Sequence, residues 1–238
     1  MSQTKIKYLH NAAVLYNDDQ PWRWFDAFGP NVCKHVTHFE TLPMEAANNP
    51  SDWTATLVNA STVALSASAR GGHMVITTAG ADNDGVNMQM VGESYSFVGQ
   101  YPLYFGIKFQ ISEATQSDFA VGMAITDTDV VTAVTDGVYF RKVDGSTVVV
   151  FVLEKDNLET ATACDVAAAD TWVTYEFYYD GINISAYVDD ELIVTFDATA
   201  VTNMPDDEDL TPSIHMLTGD NAAETMTVDW LRVIQINE

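Results

Sequence analysis

From Trp53 onward, apolar and polar side chains alternate through short runs rich in Val, Thr, Ile, Tyr and Phe, and turn residues interrupt these runs about every ten positions. Phe105-Gly106-Ile107-Lys108-Phe109-Gln110-Ile111 puts its apolar residues on one face and Gly106, Lys108 and Gln110 on the other. That period of two is what a strand with one buried face requires, because successive side chains point to opposite sides of a sheet. In 172–179, Val173, Tyr175, Phe177 and Tyr179 likewise oppose Trp172, Thr174, Glu176 and Tyr178. The pattern predicts strands over 53–58, 62–66, 73–78, 86–91, 101–111, 118–126, 137–143 and 147–153. It predicts others over 158–164, 172–179, 182–188, 192–196, 213–217 and 225–234. Asp144-Gly145, Asp180-Gly181 and Asp189-Asp190 sit where hairpins need turns. With no helical spacing between the runs, the fold class is all-β: two stacked antiparallel sheets, a jelly roll or a related sandwich.

Residues 1–38 stand outside that rhythm and read as an irregular N-terminal arm, with 39–238 forming the sandwich domain. The arm carries Trp22, Trp24, Phe25 and Phe28 around Pro21 and Pro30. These rings either strap the chain's own sandwich or dock on a partner, and the four are the candidate partner-binding residues. At 238 residues and 47% hydrophobic, the chain can bury one sizeable core. Its 34 acidic residues against 10 basic give a net charge of -24, which repels phosphate backbones and anionic lipid and argues against direct nucleic-acid or membrane partners. No window approaches the ~20 apolar residues of a membrane span, and no apolar stretch follows the basic start as a signal peptide requires. Cys33 and Cys164 have no metal or redox spacing, so two free thiols are expected, one disulfide being the alternative.

The runs Trp172-Val173-Thr174-Tyr175-Glu176-Phe177 and Ala186-Tyr187-Val188-Asp189-Asp190-Glu191-Leu192, with the terminal Val228-Asp229-Trp230-Leu231-Arg232-Val233, resemble the concanavalin A-like lectin/glucanase superfamily, including laminin-G-like domains. The resemblance covers roughly Phe39 to Glu238 and implies the sandwich fold; its members include lectins, glycoside hydrolases, adhesion modules and viral structural proteins. A strongly acidic chain with an N-terminal arm and no leader also looks like the proteins that decorate tailed-bacteriophage heads. That likeness implies a non-enzymatic capsid decoration or cement protein at the virion surface, made in the host cytoplasm, with the major capsid protein and copies of itself as partners. A lectin-like module binding cell-surface glycans is the alternative, and a family-16-like glycoside hydrolase the third reading.

Glu154-Lys155-Asp156-Asn157-Leu158-Glu159 matches the E-x-D-x-x-E signature that family-16 glucanases of this superfamily carry on a single strand. Here Lys155 and Asn157 replace the apolar spacers and the motif falls between two strand runs, so a solvated turn is expected and no catalytic residue is assigned. Asp127, Asp129 and Asp136, and separately Asp82 and Asp84, are weak calcium candidates, because hard oxygen ligands in loops suit that ion. No cofactor is otherwise implied. Scattered His residues, no Gly-x-Ser-x-Gly elbow and no phosphate-binding glycine loop leave other chemistries without support. Tyr95, Tyr101, Tyr104, Trp172 and Tyr178 would suit a sugar platform, though half-buried strand residues of this kind are ordinary.

Overall fold

The computed structural model describes residues 3–66 and 70–237. Among these there is no α-helix, and each strand run expected from the alternation is present. The front sheet runs Leu158–Val166, Val148–Lys155, Gly137–Lys142, Ser117–Ala124, Asp209–Thr218, Gly85–Met90, Trp53–Leu57, with Tyr95–Ser96 also paired to Asp209–Thr218. The back sheet runs Glu191–Asp197, Asn183–Val188, Val173–Tyr179, Leu103–Ile111, Thr225–Ile236, Met74–Thr77, Thr62–Leu65, and Val32–Thr37 adds to Thr225–Ile236. All pairings are antiparallel.

The period of two decides what lies between the sheets. Phe105, Ile107 and Phe109 from the back sheet meet Phe119, Val121, Phe140 and Phe151 from the front. Phe140 stacks on Tyr175 at 4.7 Å between ring centroids, and Phe105 on Phe177 at 5.0 Å. Close-packed pairs of this kind add about 0.5–1.5 kcal/mol each beyond the area they bury. The two-residue hairpins Asp156-Asn157 and Asp189-Asp190 have positive φ at both central positions, the primed turn whose twist matches that of its strands.

The terminal strand changes face part-way. Lys108 pairs with Trp230 but Phe109 with Val228, so Asp229 is the extra residue of a bulge. Met226 and Val228 point into the core before it, Leu231 and Val233 after it. Trp230 and Arg232 are thereby turned to the outer side of the back sheet.

The lead-in, read from sequence as irregular, is itself built of strands. Thr4–Leu9, Ala12–Asn17 and Trp24–Phe28 form a three-stranded sheet. Its Ala12, Val14, Trp24 and Ala27 pack on Tyr104, Ile234 and Ile236 of the back sheet's outer face. Val32–Thr37 then enters the back sheet, so sandwich pairing begins before residue 39. Glu176, expected on a polar face, is covered by this layer and held by Arg23 and the Tyr104 hydroxyl. Burial works against the Arg23 charge, and the hydrogen bonds and charge of Glu176 outweigh it, raising the guanidinium pKa. Both cysteines are free.

Candidate functional site

The outer face of the front sheet divides into a covered centre and an open flank. Asn87, Gln89, Ser213 and His215 project from Gly85–Met90 and Asp209–Thr218 into the centre and are buried. The loop of residues 125–136 covers them. Asn87 Nδ2 donates to the Asp127 carbonyl at 2.8 Å, Gln89 Nε2 to the Ile125 carbonyl at 2.9 Å, and the Asp127 amide to Gln89 Oε1 at 2.8 Å. Val130, Val131 and Val134 of the loop bury against Ala120, Ala124 and Leu217. The Val130 amide donates to His215 Nδ1 at 3.2 Å. An accepting Nδ1 carries no proton, so His215 is a neutral imidazole, and Asp129 Oδ1 at 3.4 Å is a neighbour rather than an ion-pair partner. Burial pushes the His215 pKa down to about 4 against the pull of Asp129 and Asp127.

The flank holds the carboxylate motif. Val148–Lys155 and Leu158–Val166 join through the two-residue Asp156-Asn157 turn, which sets Lys155 opposite Leu158 and Glu154 directly opposite Glu159. Directly opposed residues share a face with Cβ atoms about 4.5–5.5 Å apart. The turn expected from sequence is therefore present, but Glu154 is not solvated: it is 8% exposed and accepts a hydrogen bond from the Tyr139 hydroxyl. Tyr139 reaches it because its ring lies back over Gly137, where any Cβ would stand 3.0 Å from Tyr139 Cδ1 and 2.8 Å from the Met123 carbonyl oxygen. Burial raises the Glu154 pKa, the Tyr139 hydrogen bond lowers it, and the nearby Glu159 charge raises it further. Glu159 is ion-paired to Arg141 at 2.7 Å and has 42% of its side chain exposed.

The hairpin tip is pinned. The Asp156 amide donates to Asp136 Oδ1 at 3.1 Å and the Asn157 amide to the Thr135 carbonyl at 3.0 Å. Lys155 turns away to Asp206 and Asp207 at 2.6 and 3.0 Å, tying the acidic 203–209 loop to the hairpin. Two carboxyl groups thus stand opposite each other in different surroundings, one buried with its pKa raised and one paired with Arg141. Tyr139, Arg141 and the opposition of the two glutamates were missed in the sequence. The signal was there, since a two-residue turn at Asp156-Asn157 dictates the pairing of Glu154 with Glu159.

The calcium candidates do not come together. Asp127 Oδ1 accepts from the Asp129 amide, Asp129 Oδ1 from the Val131 and Thr132 amides, and Asp84 Oδ2 from the Ala81 amide. Asp84 Oδ1 accepts from Asn59, and Asp136 is spent on the hairpin. Asp82 lies beside Asp84 in the 81–85 loop. Among the described residues no group of three or more His, Cys, Asp or Glu could hold a metal ion. Of the arm's rings, Trp24 is buried, Trp22 stacks on Tyr187 at 3.6 Å and Phe25 lies 5.6 Å from the Arg232 guanidinium; Phe28 is 56% exposed.

No family model matches the chain, and no curated protein sequence matches it. Solved structures do. An endo-1,3-β-glucanase from Streptomyces sioyaensis aligns with a TM-score of 0.62 at 12% identity, over 90% of this chain and 99% of that one. A glycoside hydrolase family 16 endo-glucanase from Bacteroides ovatus aligns with a TM-score of 0.61 at 12% identity, over 84% and 99%. The binding domain of botulinum neurotoxin DC aligns with a TM-score of 0.55 at 10% identity, over 85% of this chain and 48% of that one. At these identities the likeness is one of fold. It overturns the expectation of a chain without enzymatic activity, because family-16 glycoside hydrolases share this architecture over nearly their whole length. The chain has the concanavalin A-like jelly-roll fold of glucanases and lectin-like proteins.

Proposed function

We propose that the chain is a glycoside hydrolase acting on a β-glucan, with Glu154 as the acid and Glu159 as the nucleophile. The observation that carries this is the register that sets the two glutamates face to face on the outer surface of the front sheet, one buried beneath Tyr139 and one paired with Arg141. Directly opposed strand residues have Cβ atoms about 4.5–5.5 Å apart, close enough for two glutamate side chains to bring their carboxyl groups to the about 5–5.5 Å that a retaining mechanism needs. Glu159 attacks the anomeric carbon while Glu154 gives its proton to the departing glycosidic oxygen, leaving a glycosyl ester on Glu159. Glu154, now a carboxylate, takes a proton from the water that displaces the sugar. Arg141 orients Glu159, and the Tyr139 hydroxyl orients Glu154.

The β-glucan substrate is drawn from the glucanases that share the fold. The site differs from the family signature: its two glutamates stand on neighbouring strands across a hairpin, where the signature places them along one strand, and Lys155 and Asn157 replace the apolar spacers. The virion-surface role expected from the sequence gains no support from the fold or its neighbours, and most of the arm's aromatic surface is spent on the chain's own back sheet.

The test is release of reducing ends from laminarin and mixed-linkage β-glucan. Glu154→Gln and Glu159→Gln should each lower kcat at least a thousandfold, while Tyr139→Phe should lower it less and move the alkaline limb of the pH profile. That limb falls as pH rises, because the acid form of Glu154 is lost above its raised pKa. No turnover of either glucan by the intact chain, or turnover unchanged in Glu154→Gln, overturns the assignment.

A further inference from the structure

The opposite side of the sandwich holds a second, unrelated groove. It lies on the outer face of the back sheet between the arm and the Asp189-Asp190 hairpin, has a volume of about 340 Å³, and is lined by Arg23, Phe25, Lys108, Asp190, Trp230 and Arg232 among others. The bulge at Asp229 is what puts Trp230 and Arg232 there. The Arg232 guanidinium carbon lies 4.4 Å from the Trp230 ring and 5.6 Å from the Phe25 ring. Lys108 sits 5.3 Å from the Trp172 ring at the next position along the sheet.

The cations in this groove are not equivalent. Arg23 is bound to Glu176 and Asp190, and Lys108 to Asp229 at 3.0 Å. Among the described residues Arg232 has no carboxylate within ion-pair distance, although the chain carries 34 acidic residues. Among the described residues its one side-chain hydrogen-bond partner is His38 Nε2, 3.3 Å from Nη2, and its Nε is buried without a partner. Arg232 is half-buried and lines the groove, so a ligand there meets the outer nitrogens of its guanidinium, and a planar carboxylate is the anion that fits that edge.

The rest of the lining narrows the chemistry. Asp189 Oδ1 accepts from the Thr174 amide and Asp190 Oδ1 pairs with Arg23, which leaves the second oxygen of each aspartate without a protein donor among the described residues. A polyanion would set negative charge against both. A ligand with one carboxylate, several hydroxyl donors and an apolar ring face meets Arg232, the aspartates and the rings of Trp230 and Phe25 together.

We propose that this groove binds an acidic oligosaccharide, with a uronate carboxylate on Arg232. The site is separate from Glu154 and Glu159, which lie on the other sheet, and stands or falls independently of the hydrolase reading. The experiment is isothermal titration of the intact chain with three trisaccharides, each carrying a single uronate (galacturonate, glucuronate or mannuronate) among neutral sugars, beside neutral cellotriose and acetate. At least one acidic oligosaccharide should bind at least tenfold more tightly than cellotriose, and acetate should give no comparable affinity. Arg232→Lys keeps the charge but loses the fork and should weaken binding at least tenfold, as should Trp230→Ala, while Arg232→Lys leaves β-glucan turnover unchanged. Glu154→Gln should leave uronate binding intact. Binding of none of the three acidic sugars, cellotriose binding as tightly as they do, or undiminished affinity in a folded Arg232→Lys variant each overturns the proposal.

Discussion

The Arg23–Glu176 pair shows how a residue can be legible in identity and illegible in setting. Alternation puts Glu176 on the polar face of its strand, and that face is where it lies. What no local pattern reveals is that a separate sheet covers the face, so the carboxylate is fully buried and depends on Arg23, 153 positions away in sequence. Arg23→Ala strands that carboxylate, and removing one partner of a buried pair costs about 3–5 kcal/mol. Urea unfolding should show a midpoint lowered accordingly, with Glu176 and Tyr104 still in place. A loss under about 1 kcal/mol, the level of an exposed surface pair, would mean that water reaches the site. The glutamates at 154 and 159 present the reverse case. Their partnership follows from turn length alone, yet a motif learned on single strands hid it, because counting along a strand and counting across a hairpin place different residues side by side.

At the level of elements, strands with one face on the core were readable and strands of the arm were not. In Thr4–Leu9 the alternation is clean but points the other way: Ile6 and Tyr8 are 59% and 80% exposed. A bulge between Leu15 and Tyr16 breaks the period again in the arm's second pairing. The 125–136 loop was equally opaque, since its aspartates look like ligands until their oxygens are seen capping their own backbone. Its anchor on His215 makes a pH prediction. A group charged in the unfolded chain below pH ~6.5 but held neutral down to about 4 when folded contributes stability that is complete above pH ~6.5 and is lost as pH falls toward 4. Asp118, raised to about 6 by burial, and Glu224, raised to about 7 by burial, work in the opposite direction over much of that window. The test is therefore a difference. The stability of the native chain relative to His215→Gln should shrink by roughly 3 kcal/mol between pH 7 and pH 4, read from denaturation midpoints, and a pH-independent difference would remove His215 as the titrating anchor.

Across the whole molecule, charge is distributed as unevenly as shape. Residues 1–38 carry four basic and three acidic residues, a net +1, so the remaining chain carries 6 basic against 31 acidic, a net −25. Self-repulsion of that size opposes compactness and is screened as the Debye length falls from about 10 Å at 0.1 M salt to about 3 Å at 1 M. The melting temperature should rise by several degrees between 0.05 and 0.5 M sodium chloride. A flat response would show that the acidic groups are already neutralised within the fold.

The Thr225–Ile236 strand pairs with Leu103–Ile111 on one side and with both Met74–Thr77 and Val32–Thr37 on the other, and it supplies Ile234 and Ile236 to the arm. A ribosome therefore delivers the keystone of the back sheet after every other strand described here. Until it emerges, the arm has no seat and the neighbouring strands keep open edges. Assembly of this half must wait until that strand emerges, which makes the nascent chain a natural client of chaperones that shield unpaired strands.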